Sequence, residues 1–322
     1  MMGRFLIMIT AFVAILGGGT FAGVHIISAV ERPPTTTTTY SMKVGSLTRQ
    51  YEVIAPTATL ATSAPIIVVL SGAAAATSLE IARDRIVPYA DADQAEIVYP
   101  VAIKESWNAI GCCDAAAAEN INDVGFIKAL VPRIDPGHAR PIYVVGYSVG
   151  GRLAYRLACT DPTLFDGMVA VKADPMPGCV VTKPMNVIVF SSLDDTYVPY
   201  KPGEKGKETP PATVQVARLR SHMDCLGKQT VVKHGEMTLS TWSCADGKTL
   251  EWGVWPTGGH NFPPPLTHTP GASQLLWSFV SKTRSRRCPA SPGAGQAAPL
   301  RPAVPGSARG PGGRRPCRRW SS

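Results

Sequence analysis

The residues best suited to chemistry surround Ser148. Residues 141–151 read Pro-Ile-Tyr-Val-Val-Gly-Tyr-Ser-Val-Gly-Gly, an apolar run that passes directly into G-x-S-x-G and then into a helix-forming stretch. A serine hydroxyl is a weak nucleophile at its free pKa and needs a tight turn that presents it to a base. Gly146 and Gly150 let the strand before the turn and the helix after it come close. The helix start also offers a backbone N–H, expected to be that of Val149, to a developing oxyanion. An N-cap serine before a Gly-rich turn is the plain alternative. A buried strand on one side and a helix on the other favour the nucleophile.

A serine presented at a strand-to-helix turn takes its partners from later in the chain, in the order serine, acid, histidine. After the apolar run ending at Phe190 come Ser191-Ser192-Leu193-Asp194-Asp195-Thr196-Tyr197. A carboxylate just past a strand end can hold one imidazole tautomer and stabilise its cation. Spacing alone does not separate Asp194 from Asp195. Of the six histidines, His25 and His138 precede Ser148, while His222 and His234 fall within regular elements. His260 follows a strand and the flexible Gly258-Gly259, which suits a base aimed at Ser148; His268, in a Pro-rich stretch, is the reserve. The second oxyanion donor is expected in the loop after the third strand, Ser71-Gly72-Ala73-Ala74, with the N–H of Ala73 as the donor. Small residues serving only as loop filler are the alternative there.

These residues need a scaffold, and the hydrophobic pattern supplies one. Short apolar runs at 66–70, 97–101, 142–145, 167–171, 187–190 and 250–255 alternate with helical stretches at 78–89, 120–134, 149–158, 212–226 and 272–282. That alternation predicts an α/β fold of the α/β-hydrolase type, a mostly parallel sheet with helices on both faces.

The 322 residues allow one large domain with tails. Arg4 followed by a mostly apolar run to Val30 reads as an export signal or membrane anchor over 1–30. Residues 31–39, Pro- and Thr-rich, read as a linker, with the catalytic domain over 40–283. The formal charge of +9 arises in the tail 284–322, where nine arginines lie among Pro, Gly and Ala; the rest is close to neutral. The tail reads as disordered, nothing suggests that the domain binds nucleic acid, and membrane contact is expected only through the N-terminal segment. Eight cysteines in an exported chain imply disulfides. Cys225 and Cys244 flank a predicted hairpin and form the best pair, and one of the adjacent Cys112 and Cys113 is expected to reach Cys159 or Cys179. No spacing suits a metal.

The chain resembles the secreted polyhydroxybutyrate-depolymerase-like and feruloyl-esterase-like hydrolases, including the mycobacterial lipoprotein esterases of that group, over roughly residues 51–280. The resemblance rests on Trp107-Asn108-Ala109 with Gly111-Cys112-Cys113, on Asn122-Asp123-Val124-Gly125-Phe126, and on Gly146-Tyr147-Ser148-Val149-Gly150-Gly151. Asp195-Thr196-Tyr197-Val198-Pro199-Tyr200 resembles the acid loop and Gly258-Gly259-His260 the histidine loop. The chain departs from the family in having Ser71-Gly72 where His-Gly is usual, and Phe262-Pro263 where Trp-Pro is usual. The resemblance implies Asp195 rather than Asp194 as the acid, a substrate pocket with Trp107 as its wall beside Tyr147, and pairing of Cys225 with Cys244. It also implies a serine carboxylesterase needing no cofactor and acting on small soluble short-chain or hydroxycinnamoyl esters. Acyl transfer to a cell-envelope alcohol, or a non-catalytic envelope-binding role on the same scaffold, are the rival expectations.

Overall fold

A computed structural model describes residues 34–109, 114–175, 178–204 and 210–283. The expected export segment, the basic tail and the Gly111-Cys112-Cys113 motif lie outside the described residues.

The apolar runs become the centre of one ten-stranded sheet. Its strands are β1 (Thr35–Val44), β2 (Leu47–Pro56), β3 (Ile66–Leu70), β4 (Glu96–Pro100), β5 (Ile142–Tyr147), β6 (Gly167–Val171), β7 (Asn186–Ser192), β8 (Thr230–His234), β9 (Met237–Ser243) and β10 (Thr249–Trp255). They lie in the order β1-β2-β4-β3-β5-β6-β7-β10-β9-β8. From β4 to β10 every neighbouring pair is parallel, and an antiparallel pair closes each edge. Parallel strands need helical crossovers that cover both faces, which is why their sequences are almost continuously apolar.

The period of two along each strand divides the core. Ile66, Val68, Leu70, Ile142 and Val144 point to the face covered by α4 (Asp123–Ile134), α5 (Val149–Thr160) and α6 (Ala212–His222). Ile67, Val69, Tyr143, Val145, Val169 and Phe190 point to the other, covered by α2 (Val87–Asp91) and α7 (Ala272–Thr283), with α1 (Thr77–Asp84) at its margin. A short helix α3 (Asp114–Ala118) precedes α4.

Three sequence expectations are corrected here. Thr35–Thr39 are not a linker but the first half of β1, paired with β2 from Thr35 opposite Pro56 onward. Five β-branched residues favour an extended backbone, and an exposed edge strand needs no apolar face. The single helix expected over 78–89 is two, because Pro88 has no N–H to continue it. The chain turns through Arg85 at φ 54° and restarts with Pro88 in the first turn of α2. Finally, Cys159 and Cys179 are bonded to each other, so neither meets Cys112 or Cys113. Cys225 is bonded to Cys244, tying the end of α6 to the β9–β10 connection.

Candidate active site

Ser148 stands between β5 and α5 with φ 53° and ψ −120°, a conformation that a side chain strongly disfavours. The surroundings hold it there. Its N–H donates to the carbonyl of Val171 at the end of β6 (2.9 Å), and its carbonyl accepts from Arg152 inside α5 (3.1 Å). The turn needs glycine at Gly150, where a Cβ would sit 2.2 Å from the carbonyl oxygen of Leu70. A Cβ at Gly146 would lie 2.3 Å from the carbonyl oxygen of Gly150.

The parallel pairing of β7 with β10 sets Trp255 opposite Ser192, so the segments that follow these two strands leave the sheet side by side. One carries Asp194 and Asp195, the other His260. The result is a chain of contacts between residues far apart in sequence. Nε2 of His260 lies 2.9 Å from Ser148 Oγ, and Nδ1 lies 3.0 and 3.1 Å from the two carboxylate oxygens of Asp195. With Nδ1–H donating to the carboxylate, Nε2 is the acceptor for the serine proton. Asp195 is buried and also accepts from the N–H groups of Tyr197 (2.8 Å) and Val198 (2.9 Å). Burial alone would raise its pKa, but the hydrogen bonds from His260 and from these amides outweigh it and hold the carboxyl below its ordinary range.

The neighbouring carboxylate has a different task. Asp194 accepts from Gly258 N–H (3.2 Å) and Gly259 N–H (2.8 Å), so it fastens the turn rather than the ring. His268, the reserve, lies in the turn between Leu266 and Thr269, which bridge each other, and none of the contacts to Ser148 or Asp195 involves it.

In the turn after β3, Gly72 N–H donates to Glu80 (3.1 Å) and Ala74 N–H to the Glu105 carbonyl (2.9 Å). Between them Ala73 is exposed and its amide has no partner among the described residues. Val149 opens α5, where a backbone N–H has no intrahelical acceptor. Glu80 is wholly buried; burial pushes its pKa up, opposed by Arg83, 2.8 Å away, and by the Gly72 amide. Arg83 also lies 4.7 Å from the Tyr147 ring centroid, and the Tyr147 hydroxyl donates to the His260 carbonyl.

The expected pocket wall Trp107 is elsewhere. Its side chain is 0% exposed, in the core with Phe126, and its indole N–H donates to the Ser71 carbonyl (3.0 Å). A buried Trp satisfies its N–H on the nearest acceptor, so Trp107 braces the Ser71–Gly72 turn from beneath. Asp123 completes this support, taking Asn108 N–H (2.7 Å) and Arg49 (2.7 Å). The aromatic surface beside His260 comes instead from Tyr197, 46% exposed with its ring centroid 4.7 Å away, and from Tyr147. Sequence reasoning missed Glu80, Arg83 and Lys172, whose charges fall in amphipathic or strand-end positions where a solvated role is the default.

Among the described residues, no group of three or more His, Cys, Asp or Glu could hold a metal. No family model matches the chain. Over 216 residues it is 29% identical to NocK of Nocardia uniformis subsp. tsuyamanensis, a protein named as an esterase; the match covers 60% of this chain and 62% of that protein. Among solved structures it resembles the acetyl xylan esterase from Aspergillus awamori, with a TM-score of 0.52 at 11% identity over 72% of this chain and 94% of that one. It also resembles a protein solved as sOPH, with a TM-score of 0.51 at 14% identity over 76% of this chain and 85% of the other. The fold is that of the α/β hydrolases.

Proposed function

We propose that the chain is a serine carboxylesterase acting through an acyl-enzyme, with Ser148 as nucleophile, His260 as base and Asp195 as the acid that orients it. The observation that carries this reading is the continuous contact from Ser148 Oγ through the His260 ring to the buried Asp195 carboxylate. His260 takes the hydroxyl proton as Ser148 attacks the acyl carbon, and the amides of Val149 and Ala73 receive the oxyanion. The imidazolium, stabilised by Asp195, then protonates the departing alcohol. Water repeats the sequence and frees the acid. No step calls for electron transfer or for a metal's charge.

The likeness to NocK supports ester hydrolysis, although the chain spans only 62% of that protein. Exposed Tyr197 and Leu193 beside the acid loop suit a soluble ester with a short or aromatic acyl group, in keeping with the resemblance to feruloyl-esterase-like and depolymerase-like hydrolases. Export is part of the same reading, supported by Arg4 with its apolar run and by the Cys159–Cys179 and Cys225–Cys244 bonds. Among the described residues no helix is long and apolar enough to cross a membrane.

The test is turnover of p-nitrophenyl acetate and of a methyl hydroxycinnamate, beside Ser148→Ala and His260→Ala. Each substitution is expected to lower kcat by about a thousandfold or more, because the three residues act as a unit. Equal rates in wild type and Ser148→Ala would sink the proposal.

A further inference from the structure

One buried ionisable side chain near the site has no part in the proposed chemistry. Lys172 follows β6 directly, and its N–H extends the ladder to the Phe190 carbonyl (2.9 Å). Its φ is +52°, in the left-handed region that a Cβ opposes, and the residue is only 1% exposed. An ammonium taken out of water is costly unless it is closely paired. Among the described residues no carboxylate comes within ion-pair distance of Nζ; its hydrogen-bond partner is Ser192 Oγ. Strain and desolvation together at one residue, beside a reactive constellation, mark a feature kept for something other than stability.

The contacts indicate what that is. Ser192 Oγ accepts from Lys172 and donates to the Thr257 carbonyl (3.2 Å), where the turn carrying His260 leaves β10. The charges that face the ammonium are Asp195 and Asp194, both from the segment after β7. The turn after β10 faces it with the Thr257 carbonyl through Ser192. On its own segment Asp174, two residues on, is engaged by Arg152 (2.7 Å). Burial pulls the Lys172 pKa down to about 8, opposed by Asp195 and Asp194, so the side chain is still mostly charged at neutral pH.

We propose that Lys172 is a positioning residue for the reaction: through Ser192 it holds the start of the histidine turn, and its charge faces the segment that carries Asp194 and Asp195 beneath His260. The proposal rests on the esterase reading of the site. It separates Lys172 from an ordinary structural lysine, because removing an unpaired buried charge relieves the fold while it loosens the turn.

The experiment compares Lys172→Met and Ser192→Ala with wild type in the full chain. It reads kcat and KM on p-nitrophenyl acetate, the pH profile of kcat/KM, the melting temperature, and the rate at which a fluorophosphonate labels Ser148. Lys172→Met is expected to lower kcat by about tenfold or more with KM within about twofold, and to melt no lower than wild type. Loss of the positive charge makes the imidazolium easier to form, so the acid limb of its profile moves to higher pH. Ser192→Ala keeps the charge; it is expected to lower kcat by about threefold and to leave the acid limb in place. Wild-type kcat and an unmoved acid limb in Lys172→Met overturn the proposal. If Lys172→Met does not fold, wild-type kcat and labelling in Ser192→Ala overturn it. A wild-type protein that neither turns over ester nor takes the label refutes the esterase reading itself, a different failure from labelling that is normal in all three proteins.

Discussion

The turn after β3 and the turn after β10 both approach Ser148, but they are fastened differently. In the first, residues 71–76, the amides on either side of Ala73 are committed, Gly72 to Glu80 and Ala74 to Glu105, and Ala73 is left open. In the second, Asp194 takes the amides of Gly258 and Gly259, Ser192 takes the Thr257 carbonyl, and Tyr147 takes the His260 carbonyl. The backbone around His260 is thus pinned by other groups, while its ring is held by Asp195 at Nδ1 and meets Ser148 at Nε2. The difference follows from what each turn offers. A turn that presents a backbone donor must leave that donor unsatisfied and can be gripped only through its neighbours. A turn that presents a side chain can spend its whole backbone on anchoring. Arg83 connects the two, touching Glu80 on one side and lying over Tyr147 on the other.

The largest effect expected from this comparison separates the adjacent aspartates. Asp195→Asn should lower kcat/KM by about 10²–10⁴-fold, since the amide favours the wrong imidazole tautomer. Gly258 and Gly259 donate to different oxygens of Asp194, so Asp194→Asn keeps an acceptor for one of the two amides and should cost about tenfold or less. Steady-state rates on one soluble ester decide the matter, and equal losses would break the division between ring and backbone. A smaller effect belongs to the other turn. Glu80→Gln retains an acceptor for Gly72 but gives up the charge on Arg83, and a drop of about three- to tenfold in kcat with unchanged KM is expected. A drop larger than that of Asp194→Asn would show the oxyanion turn to be the more delicate of the two.

The smallest effect on turnover, and the clearest on stability, concerns Asp84, one helical turn after Glu80 on α1. Burial pushes its pKa up to about 8, opposed by the Ile86 amide and the Tyr99 hydroxyl. The folded carboxyl therefore keeps a proton that the unfolded chain releases near pH 4. This contribution to stability is fully present below the unfolded pKa and is lost as pH rises through the folded one. Asp84→Asn imitates the neutral acid. Denaturant midpoints measured from pH 5 to pH 9 should fall more steeply for wild type, and the variant should be ahead by on the order of 1–2 kcal/mol at the alkaline end. Parallel curves would mean that Asp84 is ionised throughout.

Local pattern alone determined the parallel centre of the sheet, the strand-to-turn-to-helix setting of Ser148 and the later positions of the Asp194-Asp195 pair and of His260 as candidate partners. Apolar periodicity and turn chemistry act over a few residues, and the order of serine, acid and histidine follows once the strand that carries the serine is known. The polar edge strand at Thr35–Thr39 escaped because its composition resembles a linker, and only pairing with β2 makes it a strand. Tertiary structure decided the rest: which of two neighbouring aspartates meets the ring, that Cys159 bonds to Cys179, that Trp107 lies beneath a turn rather than in a pocket, and that Glu80 and Lys172 turn inward. Each of these depends on which face a side chain takes and on what a distant segment places beside it, and a charged or aromatic residue reads the same in sequence whether solvent or a buried partner receives it.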